Sequence, residues 1–295
     1  MKKTGRIAVM TAALIAISFV SCGKEKNSDV FYVGDVCEKD TMNIYYVESG
    51  EYNVSERIRE DGYKYIYLKF LFEANNKEGM QAVIPGVEFE CKIDGKKCEE
   101  LGVNEFSSYE LYPEKAAYSG VVFKVPEDTE RAEINYKRHY RNEEAETFIY
   151  SGENKEDYEY TKKIKKSENA LKPGETATSK EVKIEYVDCG EMPPSINERE
   201  VAKGYRVIYT EFNIENISDK DIDNLPLHFT CYADGLAFQP KSNVKKKDEI
   251  KYKLPIGKET KGKIFYLVPE DAKCIEIYFN YESLINHPFV FSYKE

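Results

Sequence analysis

The sequence predicts an all-β protein built from two tandem β-sandwiches. Apolar and polar residues alternate over several short segments, which is the pattern of strands with one buried face. Tyr and Phe are frequent, at 24 and 15 residues, and aromatic side chains suit the half-buried surface of a sheet. The same order of segments occurs twice along the chain, which indicates a duplicated unit.

The length and composition agree with this fold class. The chain has 295 residues, enough for one large or two ordinary domains. Hydrophobic residues make up 41% and charged residues 33%, which excludes a disordered chain and a protein with many membrane spans. The net charge of −10 is repelled by phosphate backbones, so we expect no nucleic acid partner.

The repeat has a spacing of about 142 residues, so the duplicated unit is a whole domain. Residues 62–73 correspond to residues 204–215, and both segments alternate with a period of two. We expect a strand in each segment, with one side facing the core. The inward residues are Ile66, Leu68, Phe70 and Phe72 in the first copy, and Ile208, Thr210, Phe212 and Ile214 in the second.

Two further correspondences support the repeat. Residues 87–95 correspond to 227–235, and both end in Asp-Gly, which predicts a tight hairpin turn after an alternating strand. Residues 120–128 correspond to 263–271, and both close in Val-Pro-Glu-Asp. The last predicted strands are 132–136 and 275–279.

The domain boundaries follow from the repeat. We predict the first sandwich at residues 30–140 and the second at residues 182–295. Residues 141–181 are rich in Glu, Lys, Ser and Asn, with Lys-Pro-Gly at 172–174, and predict a polar linker. An antibody-type core is excluded because the chain has no Trp.

The order of these motifs resembles a known family. Each copy has a Gly-Tyr strand start, then Phe-x-Cys-x-x-Asp-Gly at 89–95 or 229–235, then an apolar strand that closes in Val-Pro-Glu-Asp. This order is similar to the telokin-like, immunoglobulin-fold domains of bacterial surface lipoproteins of unknown function, over most of both halves. The resemblance implies two immunoglobulin-like sandwiches in a secreted binding or structural module, with no catalytic residues to carry over.

The N-terminus predicts an exported lipoprotein. A cationic start precedes 14 uncharged residues, 7–20, a run that suits a signal peptide and is too short to span a bilayer. A small residue before Cys22 then resembles a lipobox, with Phe19 in place of the usual Leu. We expect residues 1–22 to be a lipoprotein signal peptide that ends at a lipidated Cys22, which anchors the protein to the outer face of the cell membrane. The alternative is an ordinary secretory signal, which also exports the chain.

The other six cysteines allow more than one interpretation. In an oxidising compartment, Cys37 and Cys91 would pair in the first copy, and Cys189 and Cys231 in the second. A rival pairing joins Cys91 to Cys98 across the hairpin turn, and the remaining alternative is that all six are small buried thiols. No metal site is expected because the chain has no CxxC pair and its three histidines are scattered.

A stripe of tyrosines is the candidate ligand site. Tyr63, Tyr65 and Tyr67 share the outward phase of their strand, and Tyr205 and Tyr209 take equivalent positions in the second copy. We predict that these rings form an exposed platform for sugar rings or a partner strand. The alternative is that they pair with neighbouring strands on the outer face.

The sequence favours binding over catalysis. It has no GxSxG, no Gly-rich phosphate loop and no HExxH, so we expect no enzyme and no cofactor. The first hypothesis is a lipid-anchored binding module of the cell envelope, whose partners are the membrane, through its lipid, and an envelope protein or cell-wall glycan. The alternatives are a structural spacer of the envelope and a hydrolase that uses paired acids.

Overall fold

The computed structural model describes most of the chain from residue 30 onward. The described residues are 30–39, 41–75, 82–83, 88–101, 110–137, 145–156, 158, 160, 166–192, 195–196, 199–241, 247–284 and 287–294. The predicted signal peptide, with Cys22, lies outside them. Across these ranges every regular element is a strand or a short 3-10 helix, and no helix has the length and apolar character that crossing a bilayer demands.

The strands are numbered in chain order. The first half contains β1 (Val30–Phe31), β2 (Val36–Glu38), β3 (Met42–Glu51), β4 (Tyr63–Ala74), β5 (Ala82–Val83), β6 (Glu88–Ile93), β7 (Lys96–Lys97), β8 (Glu99–Leu101), β9 (Glu110–Leu111), β10 (Ala116–Pro126), β11 (Ala132–Lys137), β12 (Glu146–Tyr150) and β13 (Asn154–Lys155). The second half contains β14 (Thr176–Thr178), β15 (Val182–Glu191), β16 (Ser195–Ile196), β17 (Arg199–Glu200), β18 (Tyr205–Asn216), β19 (Phe229–Ala233), β20 (Leu236–Phe238), β21 (Glu259–Pro269), β22 (Ile275–Phe279) and β23 (Phe289–Ser292). The two 3-10 helices are Leu225–His228 and Glu282–Leu284.

Two sheets enclose the core of the first half. One has β3, β4 and β10 side by side, with β2 and β13 paired to β3 and β8 paired to β10. The other has the order β1-β12-β11-β6-β7. Apolar side chains from both sheets, among them Phe70 and Phe148, form one buried cluster between them. This is the layered arrangement of a β-sandwich.

The second half repeats the main strands of this arrangement. Its two layers are the sheet β14-β15-β18-β21 and the strands β20-β19-β22-β23, which continue the β3-β4-β10 sheet through the β10–β20 pairing, around a second buried cluster. Even the irregularities correspond, because the β3–β4 register shifts between Tyr46 and Glu48 and the β15–β18 register shifts between Tyr186 and Asp188. The all-β prediction is therefore confirmed, and the pairings support the predicted duplication.

The same four aromatic residues sit at the centre of each core. Tyr46 and Phe70 have ring centroids 5.2 Å apart, and their counterparts Tyr186 and Phe212 have centroids 5.3 Å apart. Phe148 meets Phe70 edge-on at 4.8 Å, and Phe291 meets Phe212 edge-on at 4.9 Å. The fourth members are Phe89, stacked on Phe70, and Phe229, stacked on Phe212. Such pairs stabilise a core by about 0.5–1.5 kcal/mol each beyond their burial.

The predicted strand faces and hairpin turns are confirmed. All eight residues predicted to face inward on β4 and β18 are buried. The turns after β6 and β19 have positive φ at both positions, with φ 50° at Asp94, 76° at Gly95, 45° at Asp234 and 83° at Gly235. Positive φ at two successive residues is what a type I′ hairpin turn requires, and Asp-Gly tolerates it.

The predicted linker, 141–181, is corrected by the structure in its described part. β12 and β13 lie within it, and they pair with β11 and β3 of the first half. β14 also lies within it and pairs with β15 of the second half. The charged residues around these short strands hide their alternation, although Phe148 of β12 fills the first core. The boundaries predicted for the two domains stay a prediction.

Candidate binding site at the junction of the two halves

The two halves meet at one end of β10. Ala116 of β10 pairs in parallel with Leu236 of β20, and the Ala116 amide donates to the Gly235 carbonyl oxygen at 3.0 Å. The first core cluster also takes in three residues of the second half, Tyr232, Ala237 and Tyr278. The junction is therefore a packed contact between the halves.

A buried ion pair lies inside this contact. Lys115 Nζ is 3.0 Å from Glu276 Oε2, and the two side chains are only 6% and 3% exposed. The Lys115 ammonium also lies 5.3 Å from the ring centroids of Tyr232 and Tyr278. The amide of Ser167 donates to Glu276 Oε1 at 2.7 Å. Both carboxylate oxygens of Glu276 are thus bound, and the contact with Lys115 crosses the junction.

The pKa values at the junction follow from this pairing. Burial acts to raise the pKa of Glu276, but the Lys115 ammonium and the Ser167 amide outweigh it, so the pKa is lowered. Burial acts to lower the pKa of Lys115, but the neighbouring Tyr278 and Glu276 outweigh it, so that pKa is raised. Both groups are therefore charged at neutral pH.

A cleft of about 480 Å³ opens beside the junction. Its aromatic lining is Tyr118 of β10, Tyr158 from the segment after β13, and Tyr205 at the start of β18. Its charged lining is Glu48, Lys69, Lys155 and Glu156. Tyr205 comes from the second half, and the other lining residues lie between residues 47 and 158. The cleft therefore forms only when the two halves are packed together.

The charged residues on one side of the cleft form a network. Glu48 Oε1 accepts a hydrogen bond from Tyr67 Oη at 2.6 Å, and its other oxygen is 3.6 Å from Lys69 Nζ. The Lys69 ammonium lies 5.0 Å from the centroid of the Tyr118 ring. These contacts hold Glu48 and Lys69 in place, so this wall of the cleft is preorganised.

The tyrosines of the cleft differ in how firmly they are held. The Tyr158 ring lies 4.3 Å from the ring of Tyr45, and the Tyr158 carbonyl accepts a hydrogen bond from Tyr118 Oη at 3.4 Å. Tyr205 is 44% exposed. The cleft thus combines two supported rings with one ring that is open to solvent.

The predicted exposed face of Tyr63, Tyr65 and Tyr67 is not formed. Tyr65 is only 5% exposed, and its hydroxyl donates to the Ile58 carbonyl oxygen at 2.7 Å. Tyr63 is 42% exposed, but it lies between two other clefts with Lys124 Nζ 4.4 Å from its ring centroid. Tyr205 is the one member of the predicted set that lines the junction cleft.

Tyr67 and Tyr209 have the same structural role in the two copies. Each ring lies over a glycine of the neighbouring strand, Gly50 or Gly190, so close that a Cβ there would be 2.9 Å or 2.7 Å from the ring or its hydroxyl. Each hydroxyl donates to a carboxylate, Tyr67 to Glu48 and Tyr209 to Asp188 at 2.9 Å. Burial, followed by the hydrogen bond to Asp188, raises the pKa of Tyr209 to about 12. These two rings pair across strands, which is the alternative left open above.

Sequence reasoning missed Tyr118 and Tyr158. Tyr118 lies on a strand that was predicted only from residue 120, and Tyr158 lies in the segment predicted as a linker. The run Tyr-Glu-Tyr at 158–160 is an aromatic pair within a charged stretch, and a solvated linker has no need for such rings. That pattern was the available signal.

The predicted disulfides, Cys37 with Cys91 and Cys189 with Cys231, are not formed. Cys91 and Cys98 are free thiols in contact with each other, and Cys189 and Cys231 are also free thiols. Cys231 is fully buried, which raises the pKa of its thiol. Its partner across the hairpin is Phe238, at the position equivalent to Cys98. Within the described ranges, no three His, Cys, Asp or Glu side chains are grouped to hold a metal ion.

One family model matches part of the second half of the chain. Residues 171–288 match the model of a domain of unknown function, DUF4352. This match covers β14 to β22 and both 3-10 helices. No curated protein is a match to the sequence.

Several solved structures are similar over part of the chain. A Bacillus subtilis protein named as a "putative lipoprotein (ycdA)" is 14% identical with a TM-score of 0.35, over 40% of this chain and 38% of that chain. The secreted protein MPT63 of Mycobacterium tuberculosis is 15% identical with a TM-score of 0.33, over 43% of this chain and 100% of its own. The yjhA protein of Bacillus subtilis is 17% identical with a TM-score of 0.32, over 42% of this chain and 98% of its own.

Proposed function

We propose that this protein is a non-catalytic binding module of the cell envelope, and that it binds a cell-wall glycan in the cleft between its two halves. The observation that carries the proposal is the cleft itself, because three tyrosines and four charged residues converge there from both copies. Ligand sites occur preferentially at such domain junctions.

The size of the cleft favours a small ligand or a single glycan chain. A volume of about 480 Å³ lies within the range of small-molecule sites, about 300–1,000 Å³. A folded protein partner would need about 800 Å² of complementary surface on each side, which a cleft of this kind does not offer. An envelope protein is therefore the less favoured partner.

The chemistry of the lining suits a sugar that carries charged substituents. Tyrosine rings offer a flat apolar face to a sugar ring and a hydroxyl to its polar groups. Lys69 and Lys155 can pair with carboxylates, and Glu156 can accept hydrogen bonds from hydroxyl and amino groups. Cell-wall glycan fragments with attached peptides carry all of these groups.

Binding is favoured over hydrolysis by the contacts of Glu48. Its two carboxylate oxygens already contact Tyr67 and Lys69, so they are held by residues of the protein. We place the protein outside the cytoplasm, anchored by a lipid on Cys22, because the N-terminal charge and apolar pattern predict export and lipidation.

The test is a titration with soluble muropeptides, the sugar-peptide fragments that a muramidase releases from peptidoglycan. Calorimetry should show binding to the wild-type protein, and Tyr205→Ala should weaken it about tenfold, which is about 1.4 kcal/mol. Tyr32→Ala is the matched control, because Tyr32 is similarly exposed at 49% and lies outside this cleft. Equal binding by the two variants would show that the muropeptide does not bind in this cleft.

A structural spacer is the second candidate, and the buried pair of Lys115 and Glu276 favours it by holding the two halves together. A spacer requires the junction but no ligand. Two results together would favour the spacer. The wild-type protein would bind no muropeptide, and cells that carry Lys115→Met would show the same envelope defect as cells that lack the protein.

A further inference from the structure

Two cysteines of the first half face each other across a hairpin. The β6–β7 ladder pairs Lys92 with Lys97, so the next opposed pair is Cys91 and Cys98. The Cys98 amide donates to the Cys91 carbonyl oxygen at 2.9 Å. Hydrogen-bonded antiparallel pairs have Cα atoms about 5.5 Å apart, which is also the commonest Cα separation in disulfides, about 5.5–6 Å.

The thiols themselves are in contact and are unequal in access. The side chains of Cys91 and Cys98 are hydrogen-bonded to each other. Cys91 is fully buried, whereas Cys98 is half-buried and lines a cleft of about 430 Å³ with Tyr63, Ile93 and Lys124. A small reagent can therefore reach Cys98 directly and Cys91 only through it.

We propose that Cys91 and Cys98 are a redox pair in which Cys98 attacks an oxidant from solvent and Cys91 resolves the mixed disulfide that forms on Cys98. The oxidant is a low-molecular-weight disulfide. Cys98 loses its proton and attacks one sulfur of that disulfide, whose other half leaves as a thiolate. Cys91 then loses its proton and attacks the Cys98 sulfur, which releases the second half as a thiolate. The protein gains one disulfide, and the external disulfide takes up two electrons and two protons.

The second copy provides an internal contrast. Cys231 occupies the position equivalent to Cys91, but Phe238 stands opposite it in place of a second thiol. Cys231 is also fully buried. The pair is therefore a feature of the first copy alone, and Cys231 is a control thiol that has no resolving partner at that position.

The test is a peptide map of the full exported chain after exposure to oxidised glutathione, with the remaining thiols alkylated under denaturing conditions. Trypsin cleaves after Lys92 and Lys97, so Cys91 and Cys98 lie in different peptides unless a disulfide joins them. We expect the joined peptides to be the main oxidised product. Cys231 should be recovered as an alkylated thiol. The Cys231→Ser variant should give the same joined peptides of Cys91 and Cys98 as the wild-type chain.

Two variants separate the roles of the thiols. Cys91→Ser should leave Cys98 with a stable glutathione adduct, because the resolving thiol is gone. Cys98→Ser should leave Cys91 unmodified, because Cys91 is buried. A stable glutathione adduct on Cys98 of the wild-type chain would overturn the proposal, and so would recovery of Cys91 and Cys98 as unmodified thiols. Both outcomes are measured on the wild-type chain, so the test does not depend on the folding of any variant.

Discussion

Lys115 Nζ and Glu276 Oε2 lie 3.0 Å apart in a site that water barely reaches, and they join residues 161 positions apart in the chain. One belongs to the first half and the other to the second. A buried ion pair is a directional contact whose partners lose much when separated, because each then stays in a poorly solvated site without its counter-charge. The pair therefore defines how the two copies meet, and with that the shape of the cleft beside them.

Removing one partner of this pair should be costly. Lys115→Met leaves the Glu276 carboxylate buried without its cation, and we expect a loss of about 3–5 kcal/mol in the free energy of unfolding. Chemical denaturation measures this. The double variant Lys115→Met with Glu276→Leu removes both charges and should recover most of the loss. A single variant as stable as the wild type would show that the pair is not buried in solution.

Acid should weaken the same contact. The pKa of Glu276 is lowered in the folded protein from an unfolded value of about 4.3. Its contribution to stability is therefore complete above the unfolded pKa and is lost as the pH falls through the folded pKa. The stability difference between wild type and Glu276→Gln should shrink as the pH is lowered from about 6 to about 3. A difference that is constant over that range contradicts the assignment.

The two glycines beneath Tyr67 and Tyr209 should be intolerant of a side chain. A Cβ on Gly50 would lie 2.9 Å from the Tyr67 ring, and a Cβ on Gly190 would lie 2.7 Å from the Tyr209 hydroxyl. We expect Gly50→Ala and Gly190→Ala each to cost about 1–3 kcal/mol by overpacking. Gly50→Ala should cost much less when Tyr67 is also replaced by Ala. Equal costs in both backgrounds would mean that the ring is not the obstacle.

Equivalent core residues should have equivalent energetic weight. Phe70 and Phe212 take the same place among four aromatic residues, and both are fully buried. Phe70→Ala and Phe212→Ala should each cost about 3–5 kcal/mol. Denaturant unfolding of the two variants provides the comparison. A large cost in one half and a negligible cost in the other is incompatible with two copies of one core.

Much of the fold was predictable because it depends on local patterns. The alternation over β4 and β18 sets which side faces the core, and a slip by one residue would expose Phe70 or Phe212. Short strands with few apolar residues carry little such signal. β12 and β23 supply Phe148 and Phe291 to the two cores, yet each is no longer than five residues. Their pairing is set by tertiary contacts, which periodicity does not record.

The candidate site was less predictable because it depends on how the copies meet. A two-residue period places Tyr65 on the outer face of β4, but it does not reveal that the loop carrying Ile58 covers it. Tyr205 was identified from the repeat, whereas its neighbours Tyr118 and Tyr158 come from elsewhere in the chain. A cleft formed by distant segments leaves no single motif in the sequence.

The most direct test of the binding account is photo-crosslinking with a muropeptide that carries a diazirine group. The full exported chain is irradiated with this probe, and the labelled residues are identified by mass spectrometry, with excess unlabelled muropeptide as competitor. We predict competed labels on Tyr118, Tyr158 and Tyr205, from both sides of the junction. Labels confined to one half, or labels that the competitor does not reduce, would contradict a ligand site between the two copies.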